Sequence, residues 1–228
     1  MAGGKAVKVY LDLLSQPCRA VFIFLKNNKI PHTVDYVALR KGEQRSPAFT
    51  KLNPMQKVPV MDDNGFVLTE SDAILKYLAT TYNVPDHWYP REPVRRARVD
   101  EYTAWHHMNT RLHAAKVFIY EVLLPAMTGQ PTDAGKVDKA LAELEETLDK
   151  LENMFLKRQA FLCGDDISLA DLLAVCELMQ PLGGGRDILK DRPKLQSWKS
   201  RVQSALSGSF DEAHSILYRL RDKSKAKL

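Results

Sequence analysis

Ser15 stands between a predicted strand and a predicted helix, in a position that suits an anion. Strand-forming side chains fill residues 8–13, and Pro17 opens a stretch, ending near residue 28, in which apolar residues recur at helical spacing. The first amides of a helix lack partners and lie at the positive end of its dipole, so a thiolate held there would be stabilised. A hydrogen bond from the Ser15 hydroxyl would lower the pKa of such a thiol further. The alternative is that Ser15 only caps the helix.

A second group of candidate residues lies between residues 57 and 71. A cis bond between Val58 and Pro59 would free the Val58 amide and carbonyl for an extended peptide, whereas a trans bond would make Pro59 an ordinary edge-strand proline. Glu70 and Ser71 open a predicted helix, and they offer a carboxylate for an amino group and a hydroxyl with helix amides for a carboxylate. Lys57 could pair with a second carboxylate. With the anion position above, the set fits a peptide that has an α-amino acid at one end, a carboxylate at the other and a thiol between them, as glutathione does.

The elements that would position these residues alternate between strand and helix. Strands are predicted at 8–13, 32–37, 57–61 and 66–68, and helices at 18–28 and 70–82. The last two strands flank a turn and form a hairpin, and a helix between the first two makes those strands parallel most simply. With a further helix in the stretch between the second and third strands, residues 1–82 are predicted to follow the order β-α-β-α-β-β-α of a thioredoxin-like fold.

Strand patterns end before residue 94, and the remainder of the chain is predicted to be all-helical. Amphipathic helices are expected at 94–123, 134–157, 168–180 and 193–206. The Pro-rich and aromatic segment 84–93 is expected to be a linker between a thioredoxin-like domain at 1–83 and a helical domain at 94–228 that ends in a basic tail. Ser168 and Asp171 form a predicted capping box at the start of a buried helix, and their role is structural.

Composition excludes several classes of function. The formal charge of the 228 residues is +5, but the last ten residues carry +4 of it, which leaves a nearly neutral body without the basic face of a nucleic-acid-binding protein. Three widely spaced cysteines indicate neither a disulfide framework nor a zinc site. The absence of a signal-peptide pattern and of a long apolar run predicts a cytoplasmic protein that does not enter a membrane. Ala226-Lys227-Leu228 weakly resembles a peroxisomal address, and a chance match is the alternative.

Four segments together resemble the theta class of cytosolic glutathione transferases. They are Tyr-Leu-Asp-Leu-Leu-Ser-Gln-Pro-Cys-Arg-Ala at 10–20, Asn-Pro-Met-Gln-Lys-Val-Pro at 53–59, Leu-Thr-Glu-Ser at 68–71 and Ile-Ser-Leu-Ala-Asp-Leu at 167–172. Their order and spacing agree with the family, and the similarity runs from about residue 8 to 220. The resemblance implies that Pro59 is a cis-proline and that Ser15 is the catalytic residue that donates to the glutathione thiolate.

The resemblance also implies a role for each of the other candidates. Val58 would bind the cysteinyl part of glutathione through its backbone, Lys57 the glycyl carboxylate, and Glu70 with Ser71 the γ-glutamyl end. Gln44 lies where related enzymes often carry a histidine near the glycyl end. Trp105, Met108 and Arg111 recur at a spacing of three, so they would share one helix face toward the electrophile pocket. Arg111 would stabilise developing negative charge there, and an ion pair is the alternative role for this residue.

The activity implied is the conjugation of glutathione to small hydrophobic electrophiles, namely alkyl and aralkyl halides, epoxides and peroxides. Glutathione is a co-substrate, no cofactor or metal is expected, and the family resemblance implies a homodimer. A theta-class lid at the C-terminus is expected to be short or absent. Two alternatives stay open: a thiol transferase that uses Cys18 as its nucleophile, and a non-catalytic protein that only binds glutathione or another ligand.

Overall fold

A computed structural model describes residues 6–225 and groups them into two compact units. The first unit comprises the described part of Met1–Asp86 together with Leu206–Ala213, and the second comprises His87–Ala205 and the described part of His214–Leu228. The tripeptide 226–228, which resembles a peroxisomal address, lies outside the described residues. No helix within residues 6–225 is long and apolar enough to cross a membrane.

The first unit contains a four-stranded sheet with helices between its strands. In chain order its elements are β1 (Val7–Leu11), α1 (Gln16–Asn27), β2 (His32–Tyr36), α2 (Pro47–Leu52), β3 (Val60–Asp63), β4 (Phe66–Thr69) and α3 (Ser71–Thr81). The strands are ordered β2-β1-β3-β4, with β1 parallel to β2 and the other two neighbouring pairs antiparallel. The predicted order β-α-β-α-β-β-α of a thioredoxin-like fold is confirmed.

Strand β1 separates two groups of buried side chains. Alternate residues of a strand point to opposite faces of the sheet, and Val7, Val9 and Leu11 on one face are fully buried. On the other face the Tyr10 ring packs edge-on against Phe49 of α2, with ring centroids 6.4 Å apart. The sheet is therefore covered on both faces at its centre. Residues that bind a ligand are expected in the loops at the ends of the strands.

The second unit is all-helical, as predicted. Its helices are α4 (Pro93–His106), α5 (Leu112–Phe118), α6 (Leu124–Thr128), α7 (Ala134–Lys150), α8 (Leu169–Leu178) and α9 (Pro193–Leu206). Wider π-helical turns at His107–Arg111 and Ile119–Leu123 join the first three, so the helix predicted at 94–123 runs on to residue 128 with two changes of pitch. Within the expected linker 84–93, Asp86–Trp88 form a 3₁₀ turn, and Trp88 is buried.

Helix α8 is buried along its whole length and begins at the predicted capping box of Ser168 and Asp171. The Asp171 carboxylate accepts four hydrogen bonds, from the Ser168 amide and hydroxyl at 3.0 Å each, and from the Leu162 amide and the Trp198 indole N–H at 2.8 Å each. Sequence reasoning identified the first partner and missed the last two. Asp171 thus joins the start of α8 to the segment before it and to α9.

An additional helix that sequence analysis did not predict follows α9 and includes the described part of the basic tail. Gly208–Lys225 form this helix, α10, in which Phe210, Ala213 and Leu217 are fully buried. These three residues recur at spacings of three and four and form one apolar face, although the basic residues that follow dominate the composition. Lys26 near the end of α1 forms an ion pair with Glu212 at 3.1 Å, within the first unit.

Candidate active site

Strand register brings three of the predicted segments to one edge of the sheet. Tyr10 pairs with Val60, and Val60 pairs with Thr69, so the carboxyl ends of β1 and β4 and the amino end of β3 lie side by side. Neighbouring strands are about 4.8 Å apart. The turn that carries Ser15, the Val58 segment and the start of α3 therefore belong to the same edge.

Ser15 precedes the first residue of α1 but does not cap it through its side chain. Its backbone is extended (φ −81°, ψ 127°), and its amide donates to the Asp12 carbonyl at 2.9 Å. In the described part of the chain its hydroxyl makes no capping hydrogen bond to the first turn. The residue is half-buried. Its hydroxyl can therefore reach a ligand at the helix N-terminus, where the dipole favours an anion.

Cys18 lies in the first turn of α1, beside the Ser15 hydroxyl. The thiol is fully buried, and this burial raises the pKa of Cys18 to about 12, while the hydrogen bond with Ser15 opposes part of the rise. A nucleophilic cysteine needs a lowered pKa and access to its substrate. Neither condition holds, so the geometry opposes a thiol transferase that attacks through Cys18.

The Val58–Pro59 peptide bond is cis, as the family resemblance implied. Pairing of β3 with its neighbours begins at Val60, so the peptide groups of Val58 take no part in the ladder. The preceding turn is held by Asn53, whose buried side chain donates to the Lys57 carbonyl at 2.8 Å and accepts from the Met55 amide at 3.0 Å. Val58 is therefore presented by a fixed turn with backbone groups that suit an extended peptide.

Glu70 directly precedes α3 in an unusual backbone conformation. Its φ is +65°, in the left-handed region that favours glycine, and such strain is concentrated at functional sites. The Glu70 side chain is exposed and forms no cap on α3 among the described residues, while Ser71 is buried. A carboxylate, a hydroxyl and the first amides of α3 thus occur together, as recognition of an α-amino acid requires.

Lys57 and Gln44 both carry polar side-chain groups that have no partner among residues 6–225. Lys57 is exposed and forms no ion pair within residues 6–225. Gln44 lies in the 3₁₀ turn Glu43–Arg45, and its side-chain oxygen is buried without a hydrogen-bond partner in the part of the chain described. A buried acceptor of this kind is uncommon and is readily explained by a ligand or a water molecule.

The second unit places Trp105, Met108 and Arg111 around a change in helix pitch. The Trp105 ring packs on Phe155 with centroids 5.0 Å apart, whereas Met108 is 70% exposed. Arg111 Nη1 donates to Glu177 Oε1 at 2.8 Å, and Glu177 is buried while the Arg111 side chain is 40% exposed. Because the π-helical turn begins at His107, the spacing of three that predicts one shared face does not apply between Met108 and Arg111.

Sequence reasoning missed two polar residues that shape the turn before Ser15. Asp12 follows β1, and its carboxylate accepts from the Leu14 amide at 2.9 Å and the Leu39 amide at 3.1 Å. Arg19 is fully buried in α1 and donates to the carbonyls of Leu13 and Leu14. The signal was present, since each charged residue interrupts an apolar run, but the sequence does not identify the backbone groups that they bind.

Among the described residues, no three His, Cys, Asp or Glu side chains converge to hold a metal ion. The groups that do converge at the sheet edge are a serine hydroxyl, free backbone groups and two helix N-termini. They suit the binding of a peptide with negative charge on a sulfur.

Comparison with known proteins identifies the relatives of the chain. Residues 15–81 match the family model for the glutathione S-transferase N-terminal domain, and residues 114–205 match the model for the C-terminal domain. Glutathione S-transferase theta-1 of Bos taurus is 48% identical over 221 residues, which cover 96% of this chain and 92% of that protein. The apo structure of human glutathione S-transferase T1-1 matches with a TM-score of 0.91 and 47% identity over 95% of this chain and 91% of that one. A human theta-class enzyme in complex with the glutathione conjugate of 1-menaphthyl sulfate gives 0.92 and 40%, over 97% and 91%.

Proposed function

The chain belongs to the theta class of the glutathione S-transferases, and we propose that it conjugates glutathione to small electrophiles with Ser15 as the residue that activates the thiol. The observation that carries this proposal is the Ser15 hydroxyl, which stands at the N-terminus of α1 and is not used to cap it. The electrophiles proposed for conjugation are alkyl and aralkyl halides and epoxides. A peroxide would instead be reduced: the thiolate attacks a peroxide oxygen, the O–O bond breaks to release an alcohol, and a second glutathione converts the resulting sulfenic acid to glutathione disulfide and water.

In the proposed mechanism the glutathione thiol loses its proton to solvent, and the Ser15 hydroxyl donates a hydrogen bond to the thiolate. The dipole of α1 stabilises the same charge. The thiolate then forms a bond to the electrophilic carbon while the bond from that carbon to the halide breaks, or the carbon–oxygen bond of an epoxide opens. The departing halide takes the electron pair, and an epoxide oxygen instead takes up a proton.

The remaining residues of the sheet edge would bind the peptide and hold its sulfur near Ser15. We assign the γ-glutamyl amino group to the Glu70 carboxylate and its carboxylate to Ser71 and the amides of α3. The cysteinyl part would hydrogen-bond to the backbone of Val58, and the glycyl carboxylate would bind Lys57, with Gln44 beside it. The positive φ of Glu70 and the position of the Val58 peptide groups outside the strand pairing of the described sheet support these assignments.

Cysteine substitution separates this mechanism from that of a thiol transferase. Cys18→Ala should retain turnover of an alkyl halide within about twofold, because the buried thiol has a raised pKa and takes no part in the proposed chemistry. The measurement is kcat/KM for glutathione with the halide, run beside reduction of a mixed disulfide. Loss of both activities in a folded Cys18→Ala protein would support the alternative function, a thiol transferase that uses Cys18. Glutathione binding by the wild type without turnover of any electrophile would instead indicate a binding protein.

We assign Trp105, Met108 and Arg111 to the electrophile side of the reaction. The partly exposed Arg111 guanidinium, fixed by the buried Glu177, supports a role in holding an anionic leaving group. An aralkyl sulfate is an informative substrate, because the related human enzyme above was solved with the conjugate of such a compound.

Arg111→Ala should lower kcat/KM about tenfold more for an aralkyl sulfate than for a neutral aralkyl chloride, since one charge-assisted hydrogen bond is worth about 1.5–3 kcal/mol. Arg98→Ala is the matched control, because Arg98 is an exposed arginine that pairs with Glu101 within α4. It should leave both rates unchanged. An equal loss of kcat/KM on the two substrates would mean that Arg111 acts only through its structural ion pair with Glu177.

We further propose that the enzyme is a homodimer, as its family implies. Phe66 and Val67 on the edge strand β4 are 49% and 40% exposed, and such apolar exposure supports an interface. Sedimentation should detect a particle of twice the chain mass of 25.8 kDa. A particle of one chain mass at working concentration would contradict the proposal.

A cytoplasmic location is also part of the proposal. The three cysteines Cys18, Cys163 and Cys176 are all free thiols. Two of them are buried, and none forms a disulfide. This state supports the reducing compartment expected from the sequence.

A further inference from the structure

Arg19 is a charged residue buried inside the first unit. It lies one turn after Ser15 in α1, and its side chain is fully buried. A buried guanidinium costs free energy unless hydrogen bonds and neighbouring groups satisfy it. Its presence here, among the apolar residues of α1, therefore calls for a specific contact that an apolar side chain could not make.

That contact is with the turn that carries Ser15. Arg19 Nη1 donates to the Leu13 carbonyl at 2.9 Å and to the Leu14 carbonyl at 3.2 Å. These are the two residues directly before Ser15. A guanidinium is planar and presents its N–H groups in fixed directions, so it restricts the orientation of both peptide groups at once.

Asp12 holds the amides of the same turn. Its Oδ1 accepts from the Leu14 amide at 2.9 Å, its Oδ2 accepts from the Leu39 amide at 3.1 Å, and its carbonyl accepts from the Ser15 amide at 2.9 Å. The turn is thus fixed through its carbonyls by Arg19 and through its amides by Asp12. Both ends of the Leu14 residue are occupied, which leaves little freedom for the backbone of Ser15.

The charge of Arg19 also acts on sulfur in this region. The guanidinium helps to lower the pKa of the Cys18 thiol, against the larger effect of burial. Cys18 lies beside the Ser15 hydroxyl.

We propose that Arg19 is a positioning residue of the reaction, which fixes the carbonyls of Leu13 and Leu14 and so holds the Ser15 hydroxyl toward the bound sulfur. This inference rests on the proposed function of Ser15. It extends that function to a side chain that touches neither glutathione nor the electrophile. A misplacement of about 1 Å in a catalytic group can cost a factor of about 100 in rate, so loosening this turn should produce a measurable change in rate.

Arg19→Lys tests the proposal, because lysine keeps the charge but its shorter side chain lacks the planar Nη1 group that donates to both carbonyls. We expect the pH profile of kcat/KM to move upward by about one unit, which is about a tenfold loss below neutral pH. The KM for glutathione and the rate at high pH should stay near those of the wild type, since the peptide is bound by other residues. Thiolate absorbance of bound glutathione should move with the profile.

Arg201→Lys is the matched control. Arg201, in the second unit, donates through Nε and Nη2 to the Ala160 carbonyl at 3.0 and 2.8 Å, so the same change removes a guanidinium–carbonyl contact outside the first unit. It should lower the melting temperature and leave the pH profile unchanged.

A wild-type pH profile for Arg19→Lys would overturn the proposal, whatever its melting temperature. If Arg19→Lys does not fold, Asp12→Asn decides, because an amide oxygen can replace only one of the two carboxylate acceptors. Loss of the Asp12 charge alone would lower the pKa of a nearby thiol, since that charge raises the pKa of Cys18. A profile shifted upward therefore supports the fixed turn, and an unchanged or downward-shifted profile overturns it. A wild type that forms no thiolate with bound glutathione would contradict the proposed function of Ser15 itself, so the two failures are distinguishable.

Discussion

Ser15→Ala should bind glutathione but lose most of its thiolate, and turnover should fall about 30- to 100-fold near pH 6.5. Without the hydroxyl donor, the pKa of the bound thiol should return most of the way to its unperturbed value of about 8.5. Because thiolate then forms only above that pH, the loss should shrink toward pH 9. The measurements are thiolate absorbance and turnover of a reactive halide from pH 5.5 to 9, with glutathione affinity determined separately.

Ser168→Ala provides the control for the removal of a serine at a helix start. Ser168 belongs to the capping box of α8, so its loss should cost about 0.5–2 kcal/mol of stability and leave the thiolate titration unchanged. If Ser15→Ala instead behaves in the same way, with a lower melting temperature and a wild-type titration, Ser15 is only a residue at a helix start.

Asp171→Ala should destabilise the protein by about 3–5 kcal/mol, the largest loss of stability that we expect from one substitution. The change leaves the buried amides of Leu162 and Ser168 and the indole N–H of Trp198 without their acceptor, and each such loss costs about 1–3 kcal/mol. The measurement is urea unfolding followed by circular dichroism.

Asp165→Ala is the comparison for Asp171→Ala, because Asp165 is an exposed acid in the segment just before the capping box. It should change stability by no more than about 0.5 kcal/mol. A similarly small loss of stability for Asp171→Ala would contradict the prediction. It would mean that the four hydrogen bonds are no stronger than those that the same groups form with water in the unfolded chain.

Local sequence signals were sufficient where one residue type has one dominant structural use. Alternating apolar residues predicted the strands, and Ser168 with Asp171 predicted the capping box, whereas the cis bond at Pro59 was implied only by the family resemblance. In each of these cases the partners lie within a few residues of one another, so short-range spacing contains most of the information. The roles of Ser15, Lys57 and Gln44 stay predictions, because they concern a ligand.

Contacts between distant segments could not be predicted in this way. The Leu39 amide that binds Asp12 is 27 residues away, and the Trp198 that binds Asp171 is also 27 residues away. The π-helical turn at His107–Arg111 depends on packing around the helix, which the sequence does not show. The spacing rule for a regular α-helix therefore placed Met108 and Arg111 on one face. Helix α10 was not predicted, because the many basic residues near its end obscure the apolar face formed by Phe210, Ala213 and Leu217.

The return of Leu206–Ala213 to the first unit affects the order in which the chain is completed on the ribosome. Phe210 and Ala213 are fully buried in the finished protein, and Glu212 pairs with Lys26. Domains usually fold as they emerge, from the N-terminus onward. Here residues 87–205 are translated before the final piece of the first unit exists, so the glutathione-binding unit is the first to begin synthesis but is completed only after most of the helical unit has been made.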